Sequence, residues 1–432
     1  MRRLLTLLLA TTCLCAATRV LPNFTGSSEF ESFLNDENLT STKAEEFVGK
    51  NNRFIFTSDT KDSARVDAKR YPKDMTPTFE GMPLVESVIR FNEAGNELAL
   101  IIYSVGDNGE ISEEAFNGMV DKITKALTKS YGNPTTPANA ASVVVRAKAL
   151  SWKCPAGQVR LEWSSTRANA AQKQSYRAEF IRVIASAISK NSVATVKKTK
   201  WVAAEQLRTT PEGDKWITTV PMVDQGQKGY CAVATGERVL RYFGKEVDEH
   251  ELAQACQTDS GTSAQKFEQQ MKRVATRFGL RFQTYLSGVD ERLIMQIIQD
   301  YTRAGKKKNG TPIPTQLQQS PYMFYEAIDT LNAKQLTEVR EADKTGINKL
   351  DHAVRESIDR ASPVIWSVQL GIIPEPDIPQ AHGGHIRLII GYNTKTSEIL
   401  YTDSWGAGHE LKRMKLADAW AETFGIFVMT PN

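Results

Sequence analysis

Three short stretches of this chain hold residues that could do chemistry together: Gln225-Gly-Gln-Lys-Gly-Tyr-Cys231, His385-Ile-Arg-Leu-Ile-Ile-Gly-Tyr392 and Asp403-Ser-Trp-Gly406. They supply a thiol, a base for its proton, a carboxylate to orient the base, and an amide to receive negative charge on a carbonyl oxygen. Those are the parts of a cysteine hydrolase. They lie far apart in sequence, so folding must assemble them.

Each part has a local context. Cys231 precedes the amphipathic segment Ala232 to Phe243, and Gly226 and Gly229 make the preceding residues a turn. The thiol is therefore expected at a helix N-terminus, where partial positive charge and a nearby cation can lower a cysteine pKa from ~8.5 into the range ~3.5–7.5. His385 starts the strand Ile386 to Ile390 after Gly383-Gly384, which leave one side open. Asp403 follows the strand Ile399 to Thr402. A hairpin of these two strands would put Asp403 and His385 at one end, with Trp405 covering their contact from water. The carboxylate would then fix the imidazole tautomer and stabilise the imidazolium. The Gln225 side-chain amide and the Cys231 backbone N–H are the candidate oxyanion donors. Taken singly, these motifs read as a buried cysteine, a structural histidine and an aspartate capping a turn. Their joint occurrence favours the chemical reading. His382 is a rival base, and His382-Gly-Gly-His385 is a conceivable metal pair, but no cysteine or carboxylate cluster accompanies it. No metal and no cofactor are expected.

The elements that must position these residues fall into two groups. An α+β fold is expected, beginning with an antiparallel sheet covered by a helix. Val85 to Phe91 and Glu97 to Tyr103 are strand-like, joined by the turn residues Asn92 to Asn96. Ser112 caps a helix whose apolar face is Phe116, Met119, Val120, Ile123 and Leu127. Strands follow at Val143 to Trp152, Val159 to Trp163 and Arg177 to Ile184. Gly106 to Phe116 superficially resembles a calcium-binding loop, but Ala115 stands where the bidentate glutamate belongs, so a strand-to-helix turn is the reading. Helices are expected at Ala232 to Phe243, Glu249 to Cys256, Ser263 to Phe278, Glu291 to Tyr301 and Gly346 to Arg360, with a surface loop at Gly305 to Thr315. Strands are expected at Val364 to Leu370, Ile386 to Ile390 and Ile399 to Thr402.

The 432 residues exceed one ordinary core. Arg2-Arg3, an apolar run from Leu4 to about Cys15 and the small residues Ala16-Ala17 read as a secretory signal. The run falls short of the ~20 residues that span a bilayer, and the chain is expected to be exported, with no membrane span after cleavage. A net charge of +4, two of it from Arg2 and Arg3, is no footprint for nucleic acid. The expected organisation is a signal peptide (1–17), a poorly ordered lead-in (18–52), a β-rich α+β domain (53–188), a linker (189–215) and a second domain (216–432). Cleavage leaves Cys154, Cys231 and Cys256, so Cys154 and Cys256 either pair between domains or remain two buried thiols.

Gln-Gly-x-x-Gly-x-Cys, then His followed by Gly-Tyr, then Asx-Ser-Trp-Gly, resembles the pattern of papain-like cysteine peptidases over residues 216–432. Asp rather than Asn at 403 is more similar to the bacterial branch of double-glycine leader (bacteriocin-processing) peptidases. The resemblance implies a helical lobe and a β lobe with the active site between them. It also implies a peptide or protein substrate, Cys231 as nucleophile, His385 as base, Asp403 as its orienter and Gln225 in the oxyanion hole. Two positions depart from the pattern. Lys228 stands where papain relatives commonly carry a disulfide-forming cysteine, and Ala232 replaces a common aromatic residue. An exported cysteine peptidase is the expectation. A cell-wall amidase or acyl transferase, or a binding protein with a vestigial triad, are the alternatives. The first domain could inhibit the second until the lysine-rich linker, with Lys197, Lys198 and Lys200, is cut.

Overall fold

Two antiparallel sheets, each with its own apolar core, carry most of the chain. The computed structural model describes residues 29–137, 142–169, 171, 174–188, 201–259, 261, 264–288, 290–308 and 328–432. The leader, the lysine-rich stretch before Trp201 and the distal part of the expected loop after Lys308 lie outside the described residues.

The first sheet uses β1 (Ile55–Phe56), β2 (Ser63–Asp67), β5 (Glu86–Arg90), β6 (Glu97–Ser104), β7 (Lys148–Cys154), β8 (Gly157–Thr166) and β9 (Arg177–Ser186). Its order is β1-β2-β5-β6-β9-β8-β7; β3 (Thr78–Phe79) and β4 (Met82–Pro83) form a separate short hairpin. The helix Glu113–Tyr131 starts where the Ser112 hydroxyl accepts the Ala115 N–H at 3.1 Å. Its three- and four-residue apolar spacing buries Phe116, Val120, Ile123 and Leu127 in the first core. The Gly106 to Phe116 segment is the strand-to-helix turn, and its Asp107 pairs with Lys69 at 2.9 Å.

The expected lead-in is corrected from Glu29 onward. Phe30–Asn35 forms a 3-10 turn, Ala44–Lys50 a helix, and Phe30, Leu34, Leu39 and Phe47 are buried in the first core. Phe47 packs edge to face on Phe54 at 5.1 Å. These residues come from a 3-10 turn, a loop and a short helix, so no single period runs through them. The strand expected from Val143 begins at Lys148, because Val144 and Val145 join the second core instead.

The second sheet uses β10 (Leu207–Thr209), β11 (Asp214–Ile217), β12 (Leu280–Leu286), β13 (Val364–Leu370), β14 (Gly383–Asn393), β15 (Glu398–Thr402), β16 (Lys412–Lys415) and β17 (Thr423–Pro431). Its main path is β10-β11-β14-β13-β17-β12, with β15 paired to β14 and β16 to β15. Helices Cys231–Tyr242, Glu249–Cys256, Ala264–Arg277, Glu291–Lys308, Ala333–Glu341, Lys344–Asp359 and Leu416–Glu422 accompany it. The expected linker is shorter at its C-terminal end, since β10 and β11 already belong to this sheet. The expected loop at Gly305 starts later, because the helix runs through Lys308. Among the described residues, no helix is long and apolar enough to cross a membrane.

Charged side chains join the two domains. Arg182 on β9 donates to Glu162 at 2.7 Å and to Glu251 at 2.8 Å, and it also pairs with Asp248. Arg90 on β5 pairs with the fully buried Glu237 of the helix Cys231–Tyr242 at 2.8 Å. Removing one partner of a buried ion network leaves the others uncompensated, at a cost of ~3–5 kcal/mol. Arg182→Leu is therefore expected to lower unfolding stability by ~3–5 kcal/mol, measured as the shift in urea midpoint. A midpoint equal to the parent's would show that the network does not hold the domains together.

Candidate active site

The helix Cys231–Tyr242 places its first residue, Cys231, at the end where unpaired backbone N–H groups gather. Spacings of four and three residues then put Thr235 and Arg238 on one face of that helix. The Thr235 hydroxyl donates to the Ile386 carbonyl of β14 at 3.2 Å. The buried Arg238 guanidinium donates to the Pro221 carbonyl, the Asp403 carbonyl and the Thr402 hydroxyl, each at 2.8 Å. These bonds tie the thiol-bearing helix to the end of the hairpin β14–β15.

That hairpin pairs Leu388 with Thr402, so His385 and Asp403 come together at one end. The His385 ring donates from Nε2 to Asp403 Oδ1 at 3.1 Å, and both side chains are fully buried. Trp405 stacks on the imidazole with ring centroids 4.2 Å apart and planes 7° from parallel. With Nε2 committed to Asp403, Nδ1 is the nitrogen left for the thiol. Burial works against the Cys231 thiolate, but contact with His385 outweighs it, and the Ile386 and Ala232 N–H groups add to the effect. The net thiol pKa is lowered. Burial likewise works against the imidazolium, but Asp403 and Cys231 raise the His385 pKa. The two shifts favour a thiolate–imidazolium pair.

Asp403 is held by more than the histidine. Arg387, two residues after His385 and so on the same face of β14, donates from Nε to Asp403 Oδ1 at 2.8 Å. Lys412 Nζ lies 3.6 Å from Oδ2. Burial alone would raise the Asp403 pKa; Arg387 first, then His385 and Lys412, hold it well below the usual carboxylate range. Arg387 also meets Glu375 at 2.7 Å and Glu422 at 3.4 Å, and its guanidinium lies over the Tyr401 ring at 4.9 Å. Burial pushes the Glu422 carboxyl up to about 8 against the pull of Arg387. The sequence reading missed Arg387, Arg238 and Lys412. The His-x-Arg alternation and the Cys-x3-Thr-x2-Arg helical spacing were the available signals.

Gln225 is buried beside the same corner. Its Oε1 accepts the Ser404 hydroxyl at 2.6 Å, its backbone N–H donates to the Ser404 carbonyl at 2.8 Å, and its Nε2 donates to the Lys228 carbonyl at 3.3 Å. One amide N–H thus orients the side chain and the other is left over. His382 is exposed, while the imidazole bonded to Asp403 is that of His385. Glu86, Glu249 and His250 present donor atoms within 4.8 Å of one another, as a cation site would. The Lys228 ammonium already occupies that position, 2.7 Å from Glu86 and 2.8 Å from Glu249. The Cys154–Cys256 pairing is overturned: both are free thiols, one at the edge of the first core and one inside the second. Burial pushes the Cys256 thiol up to about 12, which leaves it inert, whereas Cys231 is partly exposed.

Residues 217–426 match the model of the Peptidase_C39 like family. The match spans the second domain and supports a cysteine-type peptidase there, similar to this family. Among solved structures, this domain is similar to the peptidase domain of Streptococcus ComA, described as a bifunctional ABC transporter involved in a quorum-sensing pathway. Identity is 11%, over 49% of this chain and 99% of that one, with a TM-score of 0.24. Xylellain, a cysteine protease from Xylella fastidiosa, is 12% identical over 56% of this chain and 94% of its own, with a TM-score of 0.26. No curated protein sequence matches the chain.

The electrostatics of the peptidase site set its pH response. Asp403 raises the His385 pKa, so Asp403→Asn lowers it. The alkaline limb of turnover, where the imidazolium is lost, is then expected to move to lower pH. A pH–kcat/KM profile measures this, and a limb that stays or moves upward would contradict the arrangement.

Proposed function

We propose that the chain is an exported cysteine peptidase whose catalytic residues are Cys231, His385, Asp403 and Gln225. The observation that carries this reading is the combination of a buried His385–Asp403 bond with a partly exposed thiol of lowered pKa at a helix start. The second domain is read as two lobes. The helix Cys231–Tyr242 contributes the nucleophile from one, and β14–β15 contribute the base and its orienter from the other. The signal-like residues Met1 to Ala17 support export.

In this mechanism the Cys231 thiolate attacks the scissile carbonyl carbon, and the C=O π electrons move onto oxygen. The free N–H of the Gln225 amide and the Cys231 backbone N–H receive that oxyanion. The His385 imidazolium gives its Nδ1 proton to the amide nitrogen as the C–N bond breaks, leaving a thioester on Cys231 and a neutral imidazole. Water then attacks the thioester while His385 takes its proton, and the thiolate departs. Asp403 stays ionised throughout and keeps the imidazole in register.

Cys231→Ala is expected to abolish hydrolysis of a peptide library by the full chain. Gln225→Ala is expected to lower kcat by ~10²–10³-fold, the usual cost of deleting an oxyanion donor, while Cys231 alkylation continues at the parent rate. A Cys231→Ala protein as active as the parent would sink the reading.

A further inference from the structure

The loop that carries Gln225 is anchored from the first domain. Arg65 on β2 and Glu86 on β5 are diagonal neighbours on one face of the first sheet, and they form a buried ion pair. The Arg65 guanidinium donates to the Asp224 carbonyl, next to Gln225. It also packs on Gly226, which has φ +63° and where an added Cβ would overlap it. Glu86 Oε1 accepts from Lys228 Nζ at 2.7 Å and from His250 Nε2 at 2.6 Å. The Lys228 carbonyl in turn accepts the Gln225 side-chain amide. A continuous path therefore runs from a first-domain carboxylate through the Lys228 side chain and backbone to the amide of Gln225.

We propose that Glu86 is a positioning residue for the peptidase site: from the first domain it fixes Lys228, and through the Lys228 carbonyl it aims the Gln225 amide at the oxyanion. This rests on the reading of Gln225 as the oxyanion donor. The first domain then works as a clamp on the catalytic loop rather than as a removable plug. The electrostatics agree with the geometry. Burial alone would raise the Glu86 pKa, but Arg65, Lys228 and His250 hold it well below the usual range. Burial alone would lower the Lys228 pKa, but Glu249 and Glu86 raise it. Both shifts favour the charged forms of Glu86 and Lys228. Glu249, from the second domain, remains beside Lys228 but cannot replace the tie to β5.

The test is Glu86→Gln in the full chain, alone and combined with Gln225→Ala. The single variant is expected to stay folded by circular dichroism and to keep the parent rate of Cys231 alkylation. Its kcat should fall on the order of 10-fold with KM unchanged, part of the ~10²–10³-fold cost of removing a donor outright. Added to Gln225→Ala it should cause no further loss, because both act through one amide. Hydrogen exchange of the backbone amides of residues 224–230 should quicken while the rest of the chain keeps its protection. Parent-like kcat, or a loss that adds to that of Gln225→Ala, overturns the proposal. Where the parent itself shows no Cys231-dependent turnover, the peptidase reading of the site falls, and exchange at 224–230 decides the positioning alone: quickened supports it, unchanged overturns it. If Glu86→Gln does not fold, the Glu86→Asp protein, which keeps the charge but shortens the reach to Lys228, carries the same measurements. Failure of both to fold makes the contact structural and overturns the proposal.

Discussion

Asp403 is a carboxylate with no access to water, and a buried charge must find its compensation inside the protein. The active-site corner is arranged around that requirement. Arg387 meets it directly, Lys412 adds a second cation, and Arg238 holds the Asp403 carbonyl so that the carboxylate cannot swing away. The proximity of His385 follows, because an alternation of two along β14 that aims Arg387 at Asp403 aims His385 there as well. Sharing Oδ1 has a chemical consequence. Arg387 keeps its charge through the whole cycle, so Asp403 remains ionised whether the imidazole is protonated or not. In the proposed mechanism, the proton that moves is therefore decoupled from the ion pair that keeps the corner folded. The shared oxygen also holds the imidazole at the longer of the two distances, 3.1 Å against 2.8 Å. The flat stack of Trp405 on His385 supplies the missing orientation and keeps water from the contact.

The two domains meet through ions as much as through apolar surface, and this changes what docking means. An apolar interface tolerates small sliding, whereas a buried ion pair loses its compensation when its partner shifts. Arg182 with Asp248 and Glu251, Arg90 with Glu237, and Arg65 with the Asp224 carbonyl thus set one register between the first sheet and the second domain. Two of these contacts touch elements that carry the site: Glu237 lies on the helix of Cys231, and Arg65 reaches the turn of Gln225.

Much of the candidate site was legible because its residues sit in short motifs with local signatures. A cysteine after a glycine turn, a histidine at a strand start and an aspartate after the next strand each announce their own secondary structure. The helix Glu113–Tyr131 was legible too, through its serine cap and its period. The residues that compensate charge were not, because an arginine on a strand reads as solvent-exposed until its partner is known. Arg387, Arg65 and Arg182 all find their carboxylates on other strands or in the other domain. The missed strands have equally physical reasons. β17 is buried on both faces and shows no alternation, and β12 mixes exposed and half-buried positions along its length. β10 and β11 are short and polar, and they are strands only because β11 pairs with β14. In the lead-in, apolar residues from three kinds of local structure meet only in three dimensions.

Lys228 brings these strands of argument together. It stands where papain relatives commonly place a cysteine that ties the nucleophile loop covalently. A disulfide contributes ~2–4 kcal/mol by constraining the unfolded chain, and breaking a buried ion pair costs ~3–5 kcal/mol in the folded one. The difference lies in what each tie depends on. A disulfide within the loop's own domain holds whatever else is bound, and it yields to reductant. The cluster of Lys228 with Glu86, Glu249 and Arg65 is indifferent to redox state, and half of it belongs to the first domain. On the proposed reading, Lys228 makes the integrity of the Gln225 loop depend on the docking of two domains rather than on one covalent bond.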